Sequence, residues 1–138
     1  VLYAGNSFEV ALLETIQHHC RFMARTNEAP GWTSQFREIV MDLDALLHDL
    51  RADDARFSKA ADPNDYAVSQ TLGAQLRAAG ANGVVYPSVR CDGGECAGLF
   101  YPDLAAHALQ GRHLDYHWDG ERIDLYRDTG TGEVFRIV

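Results

Sequence analysis

The chain has 138 residues, 46% of them hydrophobic and 23% charged, and its 12 basic against 20 acidic residues leave a formal net charge of -8. That length fits one folded domain, and the apolar fraction excludes a disordered chain. With no lysine- or arginine-rich run to offset the acidic balance, the footprint for a phosphate backbone is missing, so direct nucleic-acid binding is not expected.

No apolar run approaches the roughly 20 residues needed to span a bilayer, and no charged region followed by an apolar one marks a secretory signal. A cytoplasmic protein without a membrane partner is the expectation. The three cysteines, Cys20, Cys91 and Cys96, are an odd count and fit free thiols in a reducing compartment. Neither Cys20 nor the six histidines complete a zinc spacing with the CDGGEC stretch, so no metal is expected.

In chain order, VLYA at the start reads as the end of a strand broken by Gly5 and Asn6. Asn6 suits an N-cap with Glu9 three residues on, and a helix is predicted from about Ser7 to Arg25. Its periodicity puts Phe8, Leu12, Ile16, His19, Cys20 and Met23 on a stripe facing the core. Glu14, Gln17, His18, Arg21 and Arg25 fall on the opposite face.

NEAPGWTSQ reads as a turn-rich connector, and REIVMDLDALL as a strand alternating Ile39, Met41 and Leu43. LHDLRADDARFSKAADPND is polar and is expected to be irregular. A second helix follows, with Asp62 as cap, Pro63 in its first turn, Tyr66, Leu72 and Leu76 inward, and Gly80 in the left-handed position after its end. GVVYPSVR, a DGG turn and AGLFY give a hairpin signal, with Pro87 predicting an edge strand or a bend. HLDYHW, RIDLYR and EVFRIV then form a meander of strands. The order of strands and two main helices, with runs of antiparallel hairpins, gives an α+β class.

The strongest local signal for chemistry is YPSVR. A proline-broken strand end frees backbone groups around Ser88 and Arg90, as at binding sites, but Pro87 merely ending a strand explains it equally well. Ser88 lacks the G-x-S-x-G context of an activated serine. Glu14, by spacing alone, is a solvated glutamate that can pair with His18 or Arg21. His18 and His19 project to different sides of the helix and cannot chelate together, and no G-x-G-x-x-G is present.

Taken together, LYAGNSFEVALLE, EIVMDLDALLHDLR, and SQTLGAQLRAAGANGVVYPSVR running into AGLFYP resemble the RES domain family, named for its arginine, glutamate and serine. The resemblance implies an ADP-ribosyltransferase-like fold of mixed sheets. It also implies the activity of toxins from bacterial toxin–antitoxin pairs that consume NAD as a substrate, with no further cofactor.

Within that resemblance Glu14 is the family glutamate, Ser88 the family serine, and Tyr3 the tyrosine preceding the helix. The family arginine belongs to a segment before LYA, so the chain is expected to lack its native N-terminal segment, with Arg90 only a helper. Cleaving the nicotinamide–ribose bond passes through an oxocarbenium-like state. A carboxylate at Glu14 would stabilise that charge, Tyr3 would hold the nicotinamide ring, and Ser88 would bind rather than attack. The implied partner is a helix-turn-helix antitoxin. A protein ADP-ribosyltransferase and an inert interaction domain are the other readings.

Overall fold

The computed structural model describes residues 1–52 and 67–137. Asp62, Pro63 and Tyr66, and most of the segment expected to be irregular, lie outside the described residues. The rest is mixed α+β, with two helices and two sheets of four strands each among the described residues. It divides into two compact units, Val1–Leu13 with Leu43–Ala106, and Glu14–Asp42 with His107–Val138.

The first unit is built on a sheet of β1 (Leu2–Gly5), β3 (His48–Asp49), β4 (Gly83–Pro87) and β5 (Glu95–Leu99), in the order β1-β5-β4-β3. β5 is antiparallel to both β1 and β4, while β3 runs parallel to β4. Cys96, Ala97 and Leu99 are all buried, on a strand flanked by another strand at each edge.

β4 is therefore interior and not an edge strand, and of the two expectations at Pro87 it is the bend that holds, since the strand ends there and the chain bends from Val89. β3, lying in a segment read as irregular, pairs only with Val84 and Val85, so Pro87 lies past its end and its missing N–H costs no ladder bond. On the other side Pro87 still faces Glu95.

Helix α1 (Phe8–Met23) starts where β1 ends. Its cap is Ser7, whose Oγ accepts the Val10 N–H at 3.2 Å, and not Asn6. Asn6 is engaged elsewhere: its N–H donates to the Glu95 carbonyl at 2.9 Å, and its Oδ1 accepts the Glu95 N–H at 3.1 Å. Asn6 thus continues the β1–β5 ladder by one rung, and its amide oxygen is not available to the helix.

Val10 is almost fully buried although the periodicity assigned it no place on the core stripe. Its isopropyl group fills a notch between Gly5 and Gly94. A Cβ at Gly5 would lie 2.8 Å from Val10 Cγ1, and one at Gly94 would collide with Val10 Cγ2.

Helix α2 (Ala67–Ala78) ends as predicted at Gly80, with φ 84°. The Gly80 N–H donates to the Arg77 carbonyl and the Ala81 N–H to the Leu76 carbonyl, both at 3.0 Å, which is the Schellman pattern.

The second unit holds β2 (Thr33–Leu43), β6 (Ala105–Trp118), β7 (Ile123–Asp128) and β8 (Val134–Arg136), in the order β2-β6-β7-β8. β7 is antiparallel to β6 and β8, as the meander predicts. β2 begins within the stretch read as a connector, and its half-buried residues are Ser34, Phe36, Glu38 and Met41, while Ile39 and Leu43 are exposed. The strand itself is as predicted, but of the three alternating apolar residues Met41 alone is turned inward.

The reason is local. Phe36 stacks on buried Tyr116 at 4.2 Å, and Ser34 bonds His19 of α1 at 2.7 Å between Oγ and Nε2. Two further bonds fasten α1 to this sheet: Thr15 Oγ1 with the Tyr116 hydroxyl at 2.7 Å, and the Ile123 N–H to Cys20 Sγ at 3.2 Å. Leu114, Tyr116, Trp118 and Ile123 complete the buried layer.

Two expectations follow. Gly94→Ala should lower stability by about 1–3 kcal/mol in urea unfolding, because its methyl group must displace Val10 in a packed notch. Burial pushes the pKa of His19 below its ordinary value of 6.5. The unfolded chain then takes up the proton first as pH falls, so this contribution is complete above about 6.5 and declines below it until folded His19 titrates. Unfolding midpoints between about pH 5 and 7 should therefore slope less in His19→Gln than in the unsubstituted chain.

Candidate functional site

Tyr3, Ser88 and Arg90 belong to the first unit, and Glu14 opens the second. Tyr3 stands opposite Gly98, which stands opposite Val84. With no side chain at Gly98, the Tyr3 ring lies down across the strand, its Cε1 3.3 Å from where a Cβ would be. It is nonetheless 67% exposed, so the sheet presents a flat aromatic face to solvent.

Two residues beyond Val84, Tyr86 falls on that same face, and Ser88 follows in the same alternation where the strand ends. The sequence reading does not single out Tyr86. The V-x-Y-x-S alternation in VVYPS is the signal that could have found it.

Ser88 shapes the turn that closes the hairpin. Its N–H donates to the Gly94 carbonyl at 2.8 Å, and its Oγ accepts the N–H groups of Arg90 at 3.2 Å and Cys91 at 3.1 Å. The Gly94 N–H in turn donates to the Cys91 carbonyl at 3.0 Å, with Gly93 between them at φ 75°. A hydroxyl oxygen has two lone pairs, and here both face amide donors. That arrangement suits an organising or binding serine and opposes an attacking one.

Gly94, the last residue of this turn, is the one against which Val10 packs. The turn is thereby held to the first turn of α1.

Among the described residues, two arginines lie near the hairpin. Arg51, also outside the sequence reading, grips both oxygens of Asp49 at 2.9 and 3.0 Å and reaches Glu95 Oε2 at 3.1 Å. The bidentate bonds hold the Asp49 carboxyl at about 2, well below the usual range. Arg51 is committed to two carboxylates and makes a poor clamp for another anion. Arg90, half-buried in the turn, has no ion pair among the described residues.

Glu14 is half-buried on α1, one turn beyond Val10 and next to Thr15, whose hydroxyl is bonded to Tyr116. His18 is exposed and His19 half-buried, so the two histidines diverge as the periodicity predicts. Cys20, Cys91 and Cys96 are free thiols, with Cys96 buried.

These are the parts of an α+β protein with a serine-ordered turn beside an aromatic sheet face. A family model for the RES domain matches residues 1–119 of the 138, and the chain belongs to the RES domain family. That family is associated with NAD-related enzymatic activity and a toxin-like role. A search of curated proteins found no match to this chain. No helix among the described residues is long and apolar enough to cross a membrane.

The turn itself can be tested without any ligand. Ser88→Ala strands two amide donors and should cost about 1–2 kcal/mol in chemical unfolding, whereas Ser88→Thr, which keeps the oxygen, should recover most of that loss.

Proposed function

We propose that the protein is a RES-type toxin that binds NAD and cleaves its nicotinamide–ribose bond, and that a cognate helix-turn-helix antitoxin neutralises it in the cytoplasm. Membership of the RES family over residues 1–119 is the observation that carries this reading.

In the proposed reaction the C–N bond breaks with its electron pair leaving on neutral nicotinamide. The positive charge then developing on the ribose is stabilised by the Glu14 carboxylate, which can also fix the 2′-hydroxyl. Water or inorganic phosphate adds to the anomeric carbon and gives up a proton, so that ADP-ribose or its 1-phosphate is the product.

Tyr3 supplies the aromatic face for the nicotinamide ring, a role its exposure supports. Arg90 is proposed as a helper cation beside the pyrophosphate, in preference to Arg51, whose guanidinium already carries two carboxylates. Ser88 acts by binding and by holding the turn on which Arg90 sits, a part supported by its two amide bonds.

NAD labelled in the adenine ring gives the direct test. Label should accumulate in a free small product while total NAD falls; label retained on protein would point instead to a protein ADP-ribosyltransferase. Glu14→Gln should reduce NAD loss by at least about a hundredfold, the scale of losing one group that stabilises transition-state charge, with the thermal midpoint unchanged. Turnover equal to that of the unsubstituted chain would remove Glu14 from the mechanism.

A further inference from the structure

β6 has β7 as a neighbour only from Leu114 onward, so among the described residues its earlier part, from His107 to His113, has β2 alone beside it. There β2 and β6 form a two-stranded ribbon in which every residue of β6 from Ala106 to His113 is exposed. No described strand lies beyond β2, which is the edge of its sheet.

The polar side chains of the ribbon are satisfied within it. Asp42 bonds His107 at 3.1 Å, Glu38 accepts the Arg112 N–H at 3.1 Å, and Arg37 bonds Gln110 and His113. Its apolar side chains are not covered: Ile39 is 45% exposed, Val40 53% and Leu109 69%. An isolated two-stranded ribbon is marginal in water, and a long apolar edge strand is a template for further pairing.

Its charge decides what can pair there. Residues 37–42 and 107–112 hold two arginines against one glutamate and one aspartate, a balance of zero in a chain of net charge -8. A second copy of the chain, repelled elsewhere by its own acidity, meets no such repulsion at this edge.

We infer that two copies of the chain associate by antiparallel pairing of β2 with β2, joining their second sheets across a two-fold axis. The charge pattern also selects the register. A pairing centred on Val40 sets Glu38 opposite Asp42 of the second copy, twice, and like charges directly opposite are unfavourable. Centring on Ile39 sets Ile39 against itself, Glu38 against Val40 and Arg37 against Met41, with no like charges opposed. An interface of this kind is isologous and closes at two copies.

Sedimentation of the chain from micromolar to millimolar concentration tests this. A monomer–dimer equilibrium is expected, and a monomer throughout would overturn the inference. Ile39→Lys places two ammonium groups face to face on the axis and should weaken association by at least about a hundredfold; a dimer that survives it would show that the contact lies elsewhere. Circular dichroism of that variant should match the parent, because Ile39 is exposed in the single copy. Ile39→Cys gives an independent reading: oxidation should yield a disulfide dimer through residue 39, and Val40→Cys much less of one. Equal cross-linking at both positions would reject the register and the axis with it.

Discussion

The close approach of Val10 to the backbone at Gly5 and Gly94 is the constraint from which the first unit takes its form. A helix starting so soon after a strand must turn back at once, and the Val10 side chain in its first turn needs somewhere to go. Here two glycines supply the space, one in the strand just left and one in a hairpin more than eighty residues later. The long-range member is what matters for chemistry, because Gly94 closes the turn in which Ser88 accepts two amides. Packing and hydrogen bonding therefore specify the same loop twice, so the backbone around Arg90 is set before any ligand arrives.

Local signals carried much of this into the sequence. Gly80 after a helical run predicts its own left-handed stop, because only a residue without a Cβ takes that conformation cheaply. The hairpin from Gly83 to Leu99 is legible from apolar runs on either side of glycines, and Cys96 and Cys91 duly remain free thiols. Failure came where a residue had two possible partners. Asn6 is a good cap in isolation, yet the end of β5 offers it two backbone bonds, and Ser7 can cap in its place.

Val10 and β2 show a second kind of failure. Helical periodicity assumes one buried face, but the first turn of α1 is covered on the Gly94 side as well, so a residue outside the stripe is among the most buried. β2 was read from its apolar residues, whereas its sheet orients it by Phe36 on Tyr116 and Ser34 on His19. A serine facing inward is invisible to hydropathy, because what buries it is a partner on another element. Glu14 is the extreme case: nothing in its spacing separates it from a solvated glutamate, and only the whole pattern from LYA to YPSVR gives it a meaning.

Charge sets the last condition on the proposed NAD site. A chain of net charge -8 repels a dinucleotide diphosphate at long range, so affinity for one has to come from cations held close to where the phosphates lie. Among the described residues the hairpin region offers two, and they are not equivalent. Arg51 lies between Asp49 and Glu95, so its positive charge is already spent on the protein and the trio presents a net negative charge. Arg90 is raised on a turn whose backbone is fixed by Ser88, and its guanidinium has no carboxylate partner among the described residues. On this view the serine and the arginine of YPSVR act as one device, in which a neutral side chain holds the loop so that a charged one can be presented without loss of order.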